Sequence, residues 1–455
     1  MSMLSQIGYS GLRAAQIALA TSGQNVANAN TPGFSRLSPI LASLAGEGGL
    51  NVGGGVVVTS IRRMANDFQN QQLWRATTEQ SYYDSGQQYL SALEGLMGGE
   101  GSSISVGLDN FFAAVSEATA TPGSVALRQQ IINETKNLAQ RFNGLSGNID
   151  SQLRALQEQR GSMVGEINGL TANLAALNKQ IVEVGSAGGD TTALRDHRES
   201  LVADLSRYAS IRVNEVADGS LTVSLANGQP LVAGNSAGQL AISRTASGEQ
   251  EIALTFAGTS FPLAQDGMGG SLGALYDTEY DTLRPNQTAL HEMAGQFAQL
   301  VNDTLANGFD LAGNPGQALL TYNAGSTTAM LSLNGLKPEE LALSDSAGES
   351  GNNRNLLALL ELKGQTISVG GSQVTLNDAF AGLLGKVASA SRQNQADQKT
   401  ATTVAVQAQA SRDSVSAVSL DEEAVNLITY QQAYQANMKV ISTAKELFDS
   451  MLAAF

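Results

Sequence analysis

Both ends of the chain carry helical patterns with little charge, and this feature constrains the fold most. Near the N-terminus, small and apolar residues recur at intervals of three and four: Leu12, Ala15, Leu19, Ser22 and Val26. This spacing lines one face of a helix, and small side chains there let a second helix approach closely. Such a stripe buries little area, so the helix is marginal alone and is predicted to need a partner.

The C-terminal pattern has the same character over a longer stretch. Between residues 424 and 444 the only charged residue is Lys439, which leaves too little polar surface for a solvated outer helix. We predict packing against copies of the chain or partner subunits, with packing on its own domain as the alternative. The heptad stripe includes Leu427, Tyr434, Met438, Ile441 and Phe448.

Between these ends the period of the pattern changes twice. The segment 28–33 predicts a turn after the first helix, because Asn caps helices and Pro-Gly favours a type II turn. A β-rich stretch is predicted over 211–262, with a hairpin turn at Asn227-Gly228. Helices are predicted over 66–97, 106–119, 122–184, 271–306, 352–362 and 376 to the end. The pattern predicts a mostly α fold with an inserted β-rich domain, whose terminal helices can pair as a coiled coil.

The composition excludes several classes of function. The chain has 455 residues, with 26 Lys and Arg against 41 Asp and Glu and a formal net charge of −15, which argues against nucleic-acid binding. It has no cysteine and two histidines, which excludes thiolate chemistry and a three-His zinc site. No run of 18 apolar residues exists and the N-terminus lacks a Sec-type pattern, so neither membrane insertion nor a cleaved signal is expected. We predict a structural protein without catalytic residues, metal or cofactor.

The remaining polar motifs have plain structural interpretations. His291-Glu292 is not followed by the histidine of a zinc-protease helix, because position 295 is Gly. His197 lies in the run LRDHRES, which predicts a solvated charged face. The acidic residues 421–423 follow Ser419, which predicts a capping box at the start of the last helix.

Four segments carry a family resemblance. Residues 25–36 read NVANANTPGFSR and resemble the N-terminal signature of bacterial flagellar rod, hook and hook-associated proteins. Residues 52–63, VGGGVVVTSIRR, are similar to its usual sequel. Residues 419–448, SLDEEAVNLITYQQAYQANMKVISTAKELF, resemble the C-terminal signature of the same proteins. The start of that last segment, the Ser35-Arg36 pair and residues 310–316, DLAGNPG, resemble the hook-associated protein 1 (FlgK) family in particular.

The resemblance implies an adaptor between hook and filament. The terminal helices would pair as an inner coiled coil, a long helical bundle would surround it, and the β domain would project outward. Copies would self-assemble into a helical ring that contacts the hook protein and the next hook-associated junction protein. The chain would leave the cell through the flagellar type III exporter, with a cytoplasmic export chaperone on its C-terminal segment.

The resemblance also implies domains and residue roles. The expected units are 1–63 with 411–455, then 64–190 with 271–308 and 352–410, then 191–270, and 309–351. The inner helix pair is expected to use Leu12, Ala15, Leu19, Val26, Leu427, Tyr434, Met438, Ile441 and Phe448. The turn is expected to use Asn28, Thr31, Pro32, Gly33 and Phe34, and neighbouring subunits to contact Tyr430 and Asn437.

Three alternatives stay open from the sequence. Another axial protein of the hook or rod shares the terminal signatures. A surface adhesin would act through the outer β domain. A glycan hydrolase would need two carboxylates about 5–10 Å apart in a cleft, and no motif demands that arrangement.

Overall fold

The computed structural model describes residues 3–45, 53–245, 249–264 and 267–453. Helix α1, Met3–Ala27, is followed by a turn and by an antiparallel hairpin of β1, Leu37–Leu44, and β2, Gly55–Arg63. The connection between these strands includes residues 46–52, which lie outside the described residues. The last helix, α10, Leu420–Ala453, returns alongside α1, so the two ends of the chain meet.

A bundle of long helices follows the hairpin. It begins with α2, Asp67–Gly98, and α3, Ile104–Ala118, and ends with α9, Leu376–Ser416, which packs along α2. Asn66 caps α2 by accepting hydrogen bonds from the Phe68 and Gln69 amides, as a short polar side chain does at a helix start.

Helix α4, Val125–Ser186, is the longest element, and its 62 residues span about 93 Å at 1.5 Å each. It begins after Ser124, whose hydroxyl accepts from the Leu127 amide, rather than at residue 122, where the predicted helix starts. It runs without a break past Gly161, Gly165 and Gly169, where a Cβ would meet nothing within 4 Å. The three glycines therefore mark neither a helix break nor a close helix contact.

The β-rich segment lies against the second half of α4. After α5, Thr192–Tyr208, it forms an antiparallel four-stranded and an antiparallel three-stranded sheet. The amide of Asn178 on α4 bonds both the carbonyl and the N–H of Leu221, and Asn168 does the same with Leu240. The strands are β3 Ile211–Glu215, β4 Leu221–Leu225, β5 Pro230–Ala233, β6 Ser236–Ala237, β7 Gln239–Arg244, β8 Gln250–Phe256 and β9 Thr259–Pro262.

The chain then returns to helices with two short strand pairs among them. These elements are α6 Gly270–Asp277, a π-helical stretch Thr278–Leu283, α7 Arg284–Ala306, β10 Leu320–Tyr322, β11 Leu331–Leu333, α8 Arg354–Glu361, β12 Thr366–Val369 and β13 Ser372–Thr375. The main apolar core runs from α2 through α4 and the sheets to α9. The prediction of a mostly α fold with an inserted β segment is confirmed, and Gly228 in the predicted hairpin turn has the positive φ of +92° that such turns favour.

Candidate assembly interface

The first and last helices run antiparallel in close contact. Gly8 of α1 lies beside Val440 and Ile441 of α10, and at the other end Asn25 donates a hydrogen bond to Glu423. A Cβ on Gly8 would lie only 2.9 Å from Ile441 Cγ1. The spacing between packed helices follows the side chains at the contact, so glycine allows this approach.

The face of α1 that is covered is displaced from the predicted stripe. Ala15 is buried as expected, but Leu12 and Leu19 are only half-buried and Val26 is 39% exposed. The buried residues are Gly8, Ala14, Ala15, Ala18, Thr21, Ser22 and Asn25. The helix closes on its smallest side chains, and the larger apolar ones lie toward the edges of the contact.

Helix α10 shows the same displacement. Tyr430 and Asn437, expected to face neighbouring subunits, face α1 instead; a Cβ on Gly11 would clash with Asn437 Oδ1. Met438 and Phe448, expected within the pair, are 49% and 54% exposed. The other expected members are half-buried: Leu427, Tyr434 and Ile441. On each helix, the face in contact is thus shifted by one residue relative to the predicted stripe.

The turn after α1 follows the end of the helix closely. Asn28 begins it, and its side chain donates to the Gln24 carbonyl at 2.9 Å. The Thr31 amide donates to the Asn28 carbonyl at 2.9 Å, and the Phe34 amide to the Thr31 carbonyl at 3.2 Å. Gly33 has a φ of +80°, which a residue with a side chain rarely adopts. Asn28, Thr31, Pro32 and Phe34 line a cleft of about 280 Å³ against α5.

A polar connection ties α1, the hairpin and α10 together. The buried Asn25 amide bonds both the N–H and the carbonyl of Leu37, each at 2.9 Å, and donates to Glu423 Oε1 at 3.0 Å. Arg36 forms an ion pair with Glu422. The sequence interpreted these acids as a capping box, and the Glu422 amide does donate to Ser419 Oγ at 3.4 Å. Their carboxylates bind Asn25 of α1 and Arg36, which immediately precedes β1, a role the local pattern did not indicate.

Charged residues on α5 connect the α1–α10 pair and the β1–β2 hairpin to the helical bundle. Arg63 at the end of β2 lies 3.3 Å from Asp196 Oδ1 and pairs with Glu199. Glu199 also accepts from Asn70 Nδ2 at 3.0 Å, and Asp196 from the Ser35 amide at 3.3 Å. Burial raises the pKa of the Asp196 carboxyl, while Arg63 and the Ser35 amide oppose that shift by favouring the charged form.

The prediction that the run LRDHRES forms a solvated face is therefore wrong for most of its charged residues. His197 is exposed as expected, but Asp196 and Arg198 are buried. Arg198 donates to the Gly219 carbonyl at 2.6 Å, and burial lowers the pKa of its guanidinium to about 10. These charges connect elements that are far apart in the sequence, so a local charge pattern could not reveal them.

Arg63→Ala is expected to lower the free energy of unfolding by about 3 kcal/mol, because it leaves two largely buried carboxylates without their cation. Urea unfolding followed by circular dichroism would measure the change. Arg62→Ala is the matched control, because Arg62 is the exposed neighbour on the same strand. Equal stability of the two variants would contradict a fastening role for Arg63.

Many apolar side chains of α10 and of the β1–β2 hairpin are exposed to solvent in the single chain. On α10 they include Val425, Ile428, Met438, Leu447, Phe448, Met451 and Leu452, and on the hairpin Ile40, Leu41, Leu44, Val57 and Ile61. Contiguous exposed apolar residues mark sites of association. This surface, rather than a cleft with reactive groups, is the candidate functional site.

Among the described residues, no three His, Asp or Glu side chains are grouped to hold a metal ion. His291 lies 3.4 Å from the Tyr322 hydroxyl, and burial lowers the pKa of its imidazole.

None of the helices in the described ranges has the length and apolar character of a membrane span.

Three family models match the sequence. The flagellar hook-associated protein FlgK helical domain matches residues 90–320. The flagella basal body rod protein matches residues 6–34, and the flagellar basal body rod FlgEFG protein C-terminal region matches 409–454. The two rod-type matches thus fall on α1 and on α10 with the end of α9, which are the elements of the candidate interface.

Individual proteins agree with these matches. Flagellar hook-associated protein 1 of Salmonella typhimurium is 28% identical, with 99% of this chain and 100% of the relative covered. The protein of the same description from Bacillus subtilis is 24% identical over 97% of this chain and 96% of the relative. The flagellar hook junction protein FlgK from Burkholderia pseudomallei shares the fold, with a TM-score of 0.69 over 76% of this chain and all of that one, at 18% identity. Since the helical-domain match alone covers half of the chain, the protein belongs to the flagellar hook-associated protein FlgK family.

Proposed function

We propose that this protein is an axial subunit of the bacterial flagellum and joins the hook to the filament. The observation that carries the proposal is the antiparallel α1–α10 pair, whose inner face is closed by small residues and whose outer faces keep large apolar side chains exposed. Identical copies that bury such faces against one another associate head to tail, which generates open helical arrays or rings.

The residues predicted for assembly divide between two roles in this proposal. The half-buried and buried ones, such as Ala15, Tyr430 and Asn437, hold α1 and α10 together. The exposed ones, Val26, Met438 and Phe448, contact neighbouring subunits. The turn residues and the Arg63 cluster fix the angle between this pair and the helical bundle, so each subunit presents the same faces.

In this proposal, the protein has a structural role rather than a catalytic one. The clustered charges of the Arg63 site are paired with one another and lie between two parts of the fold. Further partners of the assembled ring are the hook protein and the next hook-associated junction protein. A cytoplasmic chaperone holds the apolar C-terminal segment before type III export, which places the working protein outside the cell.

Binding to isolated hooks tests the proposal. The chain contains no cysteine, so Thr259→Cys on the exposed edge of β9 gives a single site for a gold label. We expect electron microscopy to show label at the distal tips of hooks only. A chain shortened to residues 1–410 is the control and should leave the hooks bare.

Label along the sides of the hooks, or none with the full chain, would contradict a junction role. Binding that survives in the 1–410 chain would instead favour a ligand site on the outer β domain, as in an adhesin.

A further inference from the structure

We propose that the last two turns of α10, residues 446–453, seat in a groove between α1 and the β1–β2 hairpin of a second copy of this chain. The inference rests on the proposed function, because it names which surfaces meet between neighbouring subunits. We call residues 446–453 the overhang, and the space between α1 and the hairpin the α1 groove.

The register of the helix pair locates the overhang at the end of the described contact with α1. Gly8 faces Val440, Gly11 faces Asn437 and Asn25 faces Glu423, so each step along α1 is matched by one step back along α10. The same register puts Met3, the first described residue of α1, opposite Lys445. The eight following residues of α10, 446–453, span about 12 Å at 1.5 Å per residue.

The overhang presents an apolar face that the described part of its own chain leaves uncovered. Leu447, Phe448, Met451 and Leu452 are each more than half exposed. Residues at i, i+1, i+4 and i+5 share one side of a helix, so the four side chains form a continuous stripe. A short helix with such a stripe is the shape that docks into an apolar groove.

The α1 groove has the complementary character. Its volume is about 620 Å³, and apolar side chains dominate its walls, with Ile17, Leu44, Val56 and Val58 among them. Tyr9 lies at its edge and is 65% exposed, and tyrosine is enriched among the residues that carry interface energy.

Position and charge favour a second copy as the occupant. The lining residues of the groove come from α1 and the hairpin, on the side of α1 away from its own α10. The overhang of the same chain lies beyond the other face, so a neighbour must supply the helix. The overhang carries Glu446 and Asp449 without a basic residue, while Arg13 is the charged residue among the described residues that line the groove. Opposite charges at the rim would fix the direction of docking.

Cysteine crosslinking in assembled flagella tests the pairing. Two chains of different tag length are co-expressed, one with Gln6→Cys at the groove rim and one with Met451→Cys on the overhang. A disulfide needs Cα atoms within about 7 Å, and the parent chain contributes no thiol of its own. We expect a mixed dimer after oxidation of isolated flagella. A control pair uses Val406→Cys, equally exposed but on α9, and should give none. Leu447→Cys repeats the test one turn earlier.

The outcomes separate the two proposals. Incorporation of both chains without a mixed dimer at either overhang position would overturn the docking. A dimer as strong with Val406→Cys, or a Met451→Cys crosslink to a protein of different mass, would overturn it as well. Absence of the cysteine-free chain from the ends of isolated hooks would overturn the proposed function itself, and the docking with it.

Discussion

Gly8→Leu is expected to abolish incorporation of the protein into flagella and to make the cells non-motile. The added Cβ would lie 2.9 Å from Ile441 Cγ1 and 3.4 Å from the Asn437 carbonyl, and the rest of the side chain has no space between the helices. Overpacking a tight contact costs about 1–3 kcal/mol, and this helix pair has little apolar area to offset that cost. Motility in soft agar and immunoblots of isolated flagella would measure the effect.

Gly23→Leu is the matched control, because a Cβ on Gly23 in the same helix meets nothing within 4 Å. The control is expected to keep the pairing of α1 with α10. Circular dichroism of both purified variants should show the helical bundle intact. Normal motility with Gly8→Leu would mean that the close approach of the two helices is not needed for assembly.

Glu279→Ala is expected to lower the free energy of unfolding by about 3–5 kcal/mol, because removal of one partner leaves a buried charge uncompensated. Glu279 and Arg160 have no exposed side-chain area and form an ion pair in the centre of the bundle. Glu279 Oε1 also accepts from Arg284 Nη2 at 2.6 Å and from Gln157 Nε2 at 3.2 Å. One carboxylate thus joins α4 to the start of α7 through the π-helical stretch.

Guanidinium unfolding followed by circular dichroism would measure the change in the free energy of unfolding caused by Glu279→Ala. Glu183→Ala is the control, since Glu183 pairs with Lys179 at 3.8 Å on the exposed surface of α4 and should contribute less than about 1 kcal/mol. A loss below about 1 kcal/mol for Glu279→Ala would show that the buried charges are not required for stability.

The two expectations also separate assembly from folding. Gly8→Leu acts on the terminal helix pair, so the bundle should unfold at the same denaturant concentration as in the parent. Glu279→Ala acts on the bundle, so it should shift that transition. A shift of the transition by Gly8→Leu would show that the terminal pair stabilises the bundle directly.

Local patterns predicted most helices and the β segment, because period and capping residues act over a few positions. The start of α4 was misplaced, since Thr121 and Ser124 are both acceptable caps and the choice depends on packing. There the chain before the helix supplies the Pro122 carbonyl to buried Arg128, whose Nε donates at 2.7 Å. No local signal indicated that arginine as a core residue.

The sequence alone determined that both ends form weakly charged helices that need a partner, that a β segment interrupts a helical chain, and which family the end motifs resemble. Only the tertiary structure decided which face of each helix is used. A heptad pattern fits two stripes one residue apart, and the choice between Leu12 and Gly11, or Met438 and Asn437, depends on how closely two backbones meet. The hydrogen bond of Asn25 to Glu423 and the ion pair of Arg63 with Asp196 join residues that are far apart in the sequence. A local sequence pattern therefore cannot predict them.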